Sequence, residues 1–219
     1  MTAPLGFADA REAADLAAFL ARLIHYDKAA VVRLQAAGGV LAVFGRPASF
    51  EVLAIRTAGL VDTAPLDVTV SAGQLLDGVD ETAGKATLPA PVTGPPWTGL
   101  LPPRGGWREI PGLPDAAGLR GAVAAAVAEF RTRDEELPEG RRTRAERDRI
   151  GREIWSRTIG GTGLPLRAAH AAQSLGFLPP RGRIPVALLQ AGSWLRLRTP
   201  FGSIAVRTGG AGGLSVVPV

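Results

Sequence analysis

One short pattern occurs twice in this chain, and nothing else constrains the fold as tightly. Residues 30–57 read AVVRLQAAGGVLAVFGRPASFEVLAIRT, and residues 184–208 read IPVALLQAGSWLRLRTPFGSIAVRT. Each stretch runs through an apolar strand, Leu-Gln-Ala, a glycine turn, a second strand, a proline-containing turn and a third strand that ends in Arg-Thr. Gln35 lines up with Gln190, Leu41 with Leu195, and Ile55-Arg56-Thr57 with Val206-Arg207-Thr208. Short apolar runs separated by glycine and proline read as antiparallel hairpins. Their recurrence in the same order reads as an internal duplication.

The flanking segments enlarge the repeat. Residues 7–26 place Leu16, Phe19, Leu20, Leu23 and Ile24 at helical spacing, which predicts an amphipathic helix ahead of the first meander. Strands are expected at 31–35, 40–44, 50–57 and 66–70, with Ser71 as N-cap of a short helix over 72–79. A shorter helix over 165–175, opened by Pro165 and closed by Gly176 and Pro179-Pro180, precedes the second meander. Strands are expected there at 185–190, 194–199 and 203–208, with a fourth at 214–217.

Between the units, residues 88–114 hold eight prolines together with Trp97 and Trp107, which excludes a regular helix or a central strand. An ordered connector that lays its tryptophans on the core is the favoured reading, and an exposed polyproline ligand is the alternative. Helices are expected over 115–133, with Leu119, Val123, Val127 and Phe130 on one face, and over 141–159, with Ile150 and Ile154 as a narrow apolar stripe. The fold class is therefore α+β: two repeated units of helix plus antiparallel four-stranded meander, joined by a Pro-rich connector and two helices. The expected divisions are residues 1–87, 88–162 and 163–219.

Composition removes several classes of function. The chain has no cysteine, so disulfides, thiolate metal sites and thiol nucleophiles are excluded. No apolar run approaches the roughly 20 residues of a membrane span, no secretion signal is read at the N-terminus, and a cytoplasmic location is expected. The formal charge is +5 and the pI about 10.8. Only Lys28 and Lys85 among the 25 cationic residues are lysine, a bias that GC-rich coding produces without nucleic-acid binding.

The strongest charged feature is the helix beginning at Arg141. Arg141, Arg142, Arg144 and Arg152 are candidate phosphate-contacting residues. Against that stand the i,i+4 pairs Arg142–Glu146, Arg144–Asp148, Asp148–Arg152, Arg149–Glu153 and Glu153–Arg157, which mark a solvated, self-neutralising helix. A winged-helix arrangement is a poorer fit, because the helix at 165–175 offers only Arg167, His170, Gln173 and Ser174 to read bases.

The two histidines, His25 and His170, sit on the helices that open each unit, so a pseudo-twofold packing could bring them together. Each alone reads as a packing or surface residue. No paired-histidine metal motif, G-x-S-x-G, S-x-x-K or phosphate-loop spacing occurs. No catalytic residue, metal or cofactor is expected. The expected role is non-enzymatic binding or regulation, through a protein partner or self-association. The alternatives are a DNA-associated regulator using the arginine helix, and a carrier or enzyme with a small apolar ligand held between sheet and helices.

Overall fold

In the computed structural model, which describes residues 4–208, each predicted repeat is built around a hairpin with a two-residue glycine turn. A two-residue strand β1 (Leu5–Gly6) leads into helix α1 (Ala10–Tyr26). The helix starts at Ala10 and not at Phe7 because Asp9 is its N-cap, its carboxylate accepting from the Glu12 N–H at 3.0 Å. The first meander follows as β2 (Val31–Ala37), β3 (Val40–Gly45) and β4 (Leu53–Gly59). Gly38 and Gly39, with φ of +59° and +77°, supply the two left-handed residues of a type I′ hairpin between β2 and β3.

The strand expected over 50–57 begins later, at Leu53. Phe50 donates its N–H to the Pro47 carbonyl, and Glu51 takes a left-handed φ of +51°, so this stretch is a turn. Strand β5 (Leu66–Ser71) returns to pair with β2, giving the spatial order β5-β2-β3-β4. Ser71 caps α2 (Ala72–Asp77) as its sequence position predicts. Two-residue strands β6 (Val79–Asp80) and β7 (Lys85–Ala86) close a small sheet with β1.

The connector then crosses the molecule, makes a 3₁₀ turn at Pro96–Gly99 and enters the sheet edge as β8 (Arg108–Ile110). Helices α3 (Ala116–Glu135), α4 (Arg144–Ser156) and α5 (Leu166–Ser174) come next. The second meander is β9 (Ala187–Ala191), β10 (Trp194–Thr199) and β11 (Gly202–Arg207). The strand expected at 214–217 lies outside the described residues. At the place that β5 holds in the first unit, beside the first strand of the meander, the second unit carries β8.

The two units share one eight-stranded antiparallel sheet, β5-β2-β3-β4-β11-β10-β9-β8. They join where β4 meets β11, with Ala54 opposite Ile204. A twofold through that pair carries Arg56 onto Val206, both on the face beneath the helices. This corrects two of the matches read from sequence, Gln35 with Gln190 and Ile55 with Val206, which are one residue out; Leu41 with Leu195 stands, each the second residue of its strand and in the same core. Ile55 belongs to the outer cluster with Phe44, whereas Val206 belongs to the helix-covered core. Gln35 alternates with the core residues Leu34 and Ala36, whereas Gln190 pairs directly with core-facing Leu195. A one-residue slip in a strand exchanges its faces. Matching the turns instead, Ala37 with Ala191, keeps both on the same face.

The inner face carries the main core. Helix α1 buries Leu16, Phe19, Leu20 and Leu23 completely or nearly so and packs on β4. Each such side chain contributes about 1.5–3 kcal/mol on burial. Helix α5 lies on β11 with Ala168, Ala169, Ala171 and Ala172 buried, and α3 and α4 pack on it while burying Leu119, Val123, Ile150 and Ile154. On the outer face a smaller cluster of Phe44, Leu53, Ile55 and Ala205 is covered by Trp97 and Leu101. The proline-rich segment is thus a connector whose tryptophan seals the second face of the sheet.

Candidate functional site

The helical layer is not closed. Where the end of α1, the β3–β4 turn, α3, α4 and α5 converge, they leave an open cleft of about 770 Å³. Its volume falls in the range of small-molecule sites. Helix α4 contributes one stripe at helical spacing: Asp148, Gly151, Arg152 and Trp155. Arg167 and His170, three apart on α5, contribute a second. Tyr26, Phe50, Glu51 and Phe130 complete the wall.

His170 sits at the centre. Its ring stacks on Trp155, with centroids 4.2 Å apart, and Phe50 meets it edge-on at 5.0 Å. Burial lowers its pKa below the ordinary histidine value, so the neutral ring is the form this packing favours. The aromatic contacts continue through Tyr26 to His25. The two histidines are therefore not in contact. They lie in one chain of rings, separated by Phe50 and Tyr26.

The β3–β4 turn carries backbone strain. Glu51 is the one non-glycine with positive φ among the described residues, and it lines the cleft. Left-handed backbone in an ordinary L-residue costs about 1–2 kcal/mol, and such strain collects where function holds it in place. No sequence signal marks this position, since any non-glycine is expected to avoid it.

The arginines divide into those paired with carboxylates, Arg147 of the cleft wall among them, and those without a carboxylate partner among the described residues. Arg133 makes two hydrogen bonds to Glu153, at 2.8 and 2.9 Å, and Arg157 makes two to Glu129, at 2.5 and 2.8 Å. These pairs tie α3 to α4, and the Arg133 hydrogen bond is the main cause that holds the Glu153 carboxyl down at about 2. Arg147 is held by Asp134 at 2.7 Å. Arg149 chelates Glu146, whose carboxyl is likewise held low.

The four arginines singled out from sequence do not act as one patch. The helix begins at Arg144, because the Thr143 hydroxyl caps it by accepting from the Glu146 N–H. Arg141 lies in a 3₁₀ turn before it, 4.0 Å from Glu146. Arg142 donates to the carbonyls of Leu137 and Glu135 instead of to Glu146. Arg144 is almost fully exposed, 3.9 Å from Asp148. Arg152 alone of the four lines the cleft, and among the described residues no carboxylate lies within 4 Å of it. The expected Arg149–Glu153 and Glu153–Arg157 pairs form, at 3.6 and 3.4 Å.

Arg167 behaves like Arg152. Its Nε is buried and meets no hydrogen-bond acceptor among the described residues. A buried donor without a partner is costly, which makes it notable in a cleft wall. Among the described residues no group of three or more histidines and carboxylates is placed to hold a metal ion.

A family model for a domain of unknown function, DUF8185, matches residues 102–211. The chain belongs to this family. A second model, the domain of unknown function DUF8010, matches residues 1–99. The two matches meet in the connector, so the α3–α4–α5 layer and the second meander fall in one and the first meander in the other. No functionally curated protein matches the sequence. Among solved structures, the chain is similar to the DNA polymerase sliding clamp from Pseudomonas aeruginosa, with 14% identity and a TM-score of 0.48 over 94% of this chain. The chain spans 64% of that clamp subunit.

Proposed function

We propose that the protein is a non-enzymatic binding protein of the cytoplasm and that the cleft between α4, α5 and the β3–β4 turn is its binding site. The observation that carries this reading is the joint presence, in one opening of about 770 Å³, of stacked aromatic rings, a strained turn and two arginines without carboxylate partners among the described residues. Pockets that bind small molecules combine apolar walls with a few fixed polar groups. The division at 1–87, 88–162 and 163–219 accompanies this proposal: the middle and last segments supply most of the cleft, and the first supplies Tyr26 and the β3–β4 turn.

Self-association is a second reading, supported by β8. This three-residue strand pairs only with β9 among the described residues, so its other edge offers backbone donors and acceptors. A phosphate-binding role for the four as one patch is weakened by the separate engagements of Arg141, Arg142 and Arg144, which leave only Arg152 facing the cleft.

Native mass spectrometry of the purified protein, with the ratio of absorbance at 260 and 280 nm, separates these readings. The cleft reading expects a bound small molecule, or uptake of one from an aromatic fragment set, that disappears in Gly151→Leu. Bound nucleic acid would favour the arginine helix, and an empty dimer would favour the β8 edge. An empty monomer that takes up no fragment would overturn the proposal.

A further inference from the structure

We propose that the cleft selects a flat aromatic molecule bearing one anionic group, with Arg152 and Arg167 holding the anion; this rests on the cleft being the binding site. The argument is one of charge left over. Five charged side chains line the cleft: Arg147, Arg152 and Arg167 against Glu51 and Asp148. Asp134 already engages Arg147 at 2.7 Å, and Arg144 lies 3.9 Å from Asp148. Setting these two aside leaves two arginines and Glu51.

The two remaining arginines approach from different helices, Arg152 from α4 and Arg167 from α5. A guanidinium presents a planar fork that suits carboxylate, sulfonate and phosphate oxygens alike. The Arg167 Nε is buried and without an acceptor among the described residues, so this side chain brings unspent hydrogen-bonding capacity to the cleft wall. Beside these donors, Tyr26, Phe130 and Trp155 offer flat apolar surface, and a neutral His170 adds no third cation. Aromatic walls favour ring-shaped ligands through offset and edge contacts. A purely aliphatic ligand would leave both guanidiniums unpaired, and an inorganic anion would leave the aromatic wall bare.

The test uses two probes with the same ring system. One is 8-anilinonaphthalene-1-sulfonate, and the other is N-phenyl-1-naphthylamine, which lacks the sulfonate. Each is titrated into the full chain, reading probe emission and quenching of tryptophan, with Trp155→Phe to assign the quenching to the cleft. The sulfonate probe is expected to bind at least about tenfold more tightly than the neutral one, the ratio that a charged hydrogen bond of about 1.5 kcal/mol gives. That advantage should vanish in Arg152→Gln and in Arg167→Gln, while binding of the neutral probe stays. Arg152 is exposed, so its variant keeps the test valid if Arg167→Gln folds poorly.

Equal affinity for both probes, each lost in Gly151→Leu, would overturn the anion preference and leave the cleft standing as a binding site. An anion preference unchanged in both arginine variants would also overturn it. Failure of both probes to bind would remove the cleft reading and this inference together.

Discussion

The two halves of the sheet are alike in strand order and unlike in what covers them. Over the first meander lies one layer, the 17-residue helix α1 with leucines and a phenylalanine in the core, joined by the short α2 beside it. Over the second lies a nine-residue helix, α5, whose buried face is mostly alanine. Long side chains let one helix fill the space above a sheet. Alanines bring a helix close to its sheet, and a second layer, α3 and α4, must then bury the apolar groups that remain. The cleft lies where the one-layer cover meets the two-layer cover. A duplicated framework thus acquires a site through the unequal dressing of its halves, and the strands have little part in it.

If that contrast is right, the halves should fail in opposite ways. Phe19→Ala, in the large-residue half, should cost about 3–5 kcal/mol in chemical denaturation, because it leaves a cavity among side chains that cannot collapse. Ala169→Leu, in the close-packed half, should cost about 1–3 kcal/mol for the opposite reason, since it has no space to enter. A small loss for Phe19→Ala with a larger one for Ala169→Leu would reverse the assignment.

Asymmetry also shows at the twofold-related pair Arg56 and Val206. Arg56 is buried and donates to Asp15 at 2.6 Å and to the Phe201 carbonyl, whereas Val206 is simply apolar core. Asp15→Ala should cost about 1–3 kcal/mol, because it strips a buried cation of its nearest carboxylate. The double variant Asp15→Ala/Arg56→Val should cost less than the single one, since it makes the first half resemble the second. Additive losses in a double-mutant cycle would mean that the pair is not a coupled unit.

A subtler contrast concerns the histidines. His170 is held neutral by burial, while His25 is exposed at the end of α1. Since burial depresses the folded-state pKa of His170, the unfolded chain takes up the proton first as pH falls. The stability this residue contributes is complete above 6.5 and is lost as pH falls through the lowered folded-state value. His170→Gln should flatten the stability profile over that interval. The smallest effect is expected from Glu153→Gln. It loosens an exposed ion-pair network, whose contribution is present above 4.5 and is lost as pH falls from there through about 2. Thermal melts across pH check both.

Most of the framework was legible because it rests on local signals. Alternating apolar runs, glycine turns, Ser71 as a cap and a proline-dense connector each leave marks within a few residues, whereas the caps Asp9 and Asp115 went unread. The match between repeats was legible in order and at Leu41 with Leu195, and one residue out in register at the first and third strands. The first hairpin holds one more residue between its glutamine and its turn, and only strand pairing reveals which face each residue takes. The cleft was mostly illegible. Its parts come from five elements far apart in sequence. Trp155 reads as the shoulder of a core stripe, and Glu51 gives no sign of its left-handed backbone. Arg152 was visible as a cation, but not that its neighbours would be neutralised across helices and leave it to face the cleft.

Gly151 offers the most direct test that the gap between the two kinds of cover is the binding site. A Cβ built there would meet Phe130 and Trp155 at 3.7 Å, an ordinary contact, so Gly151→Leu can extend a side chain into the cleft from within a helix. Removing a glycine from a helix interior favours the fold by up to about 1 kcal/mol. The account predicts a variant at least as thermally stable as the parent that no longer takes up the aromatic sulfonate. An equally stable variant that binds the probe as the parent does would place the site elsewhere and contradict it.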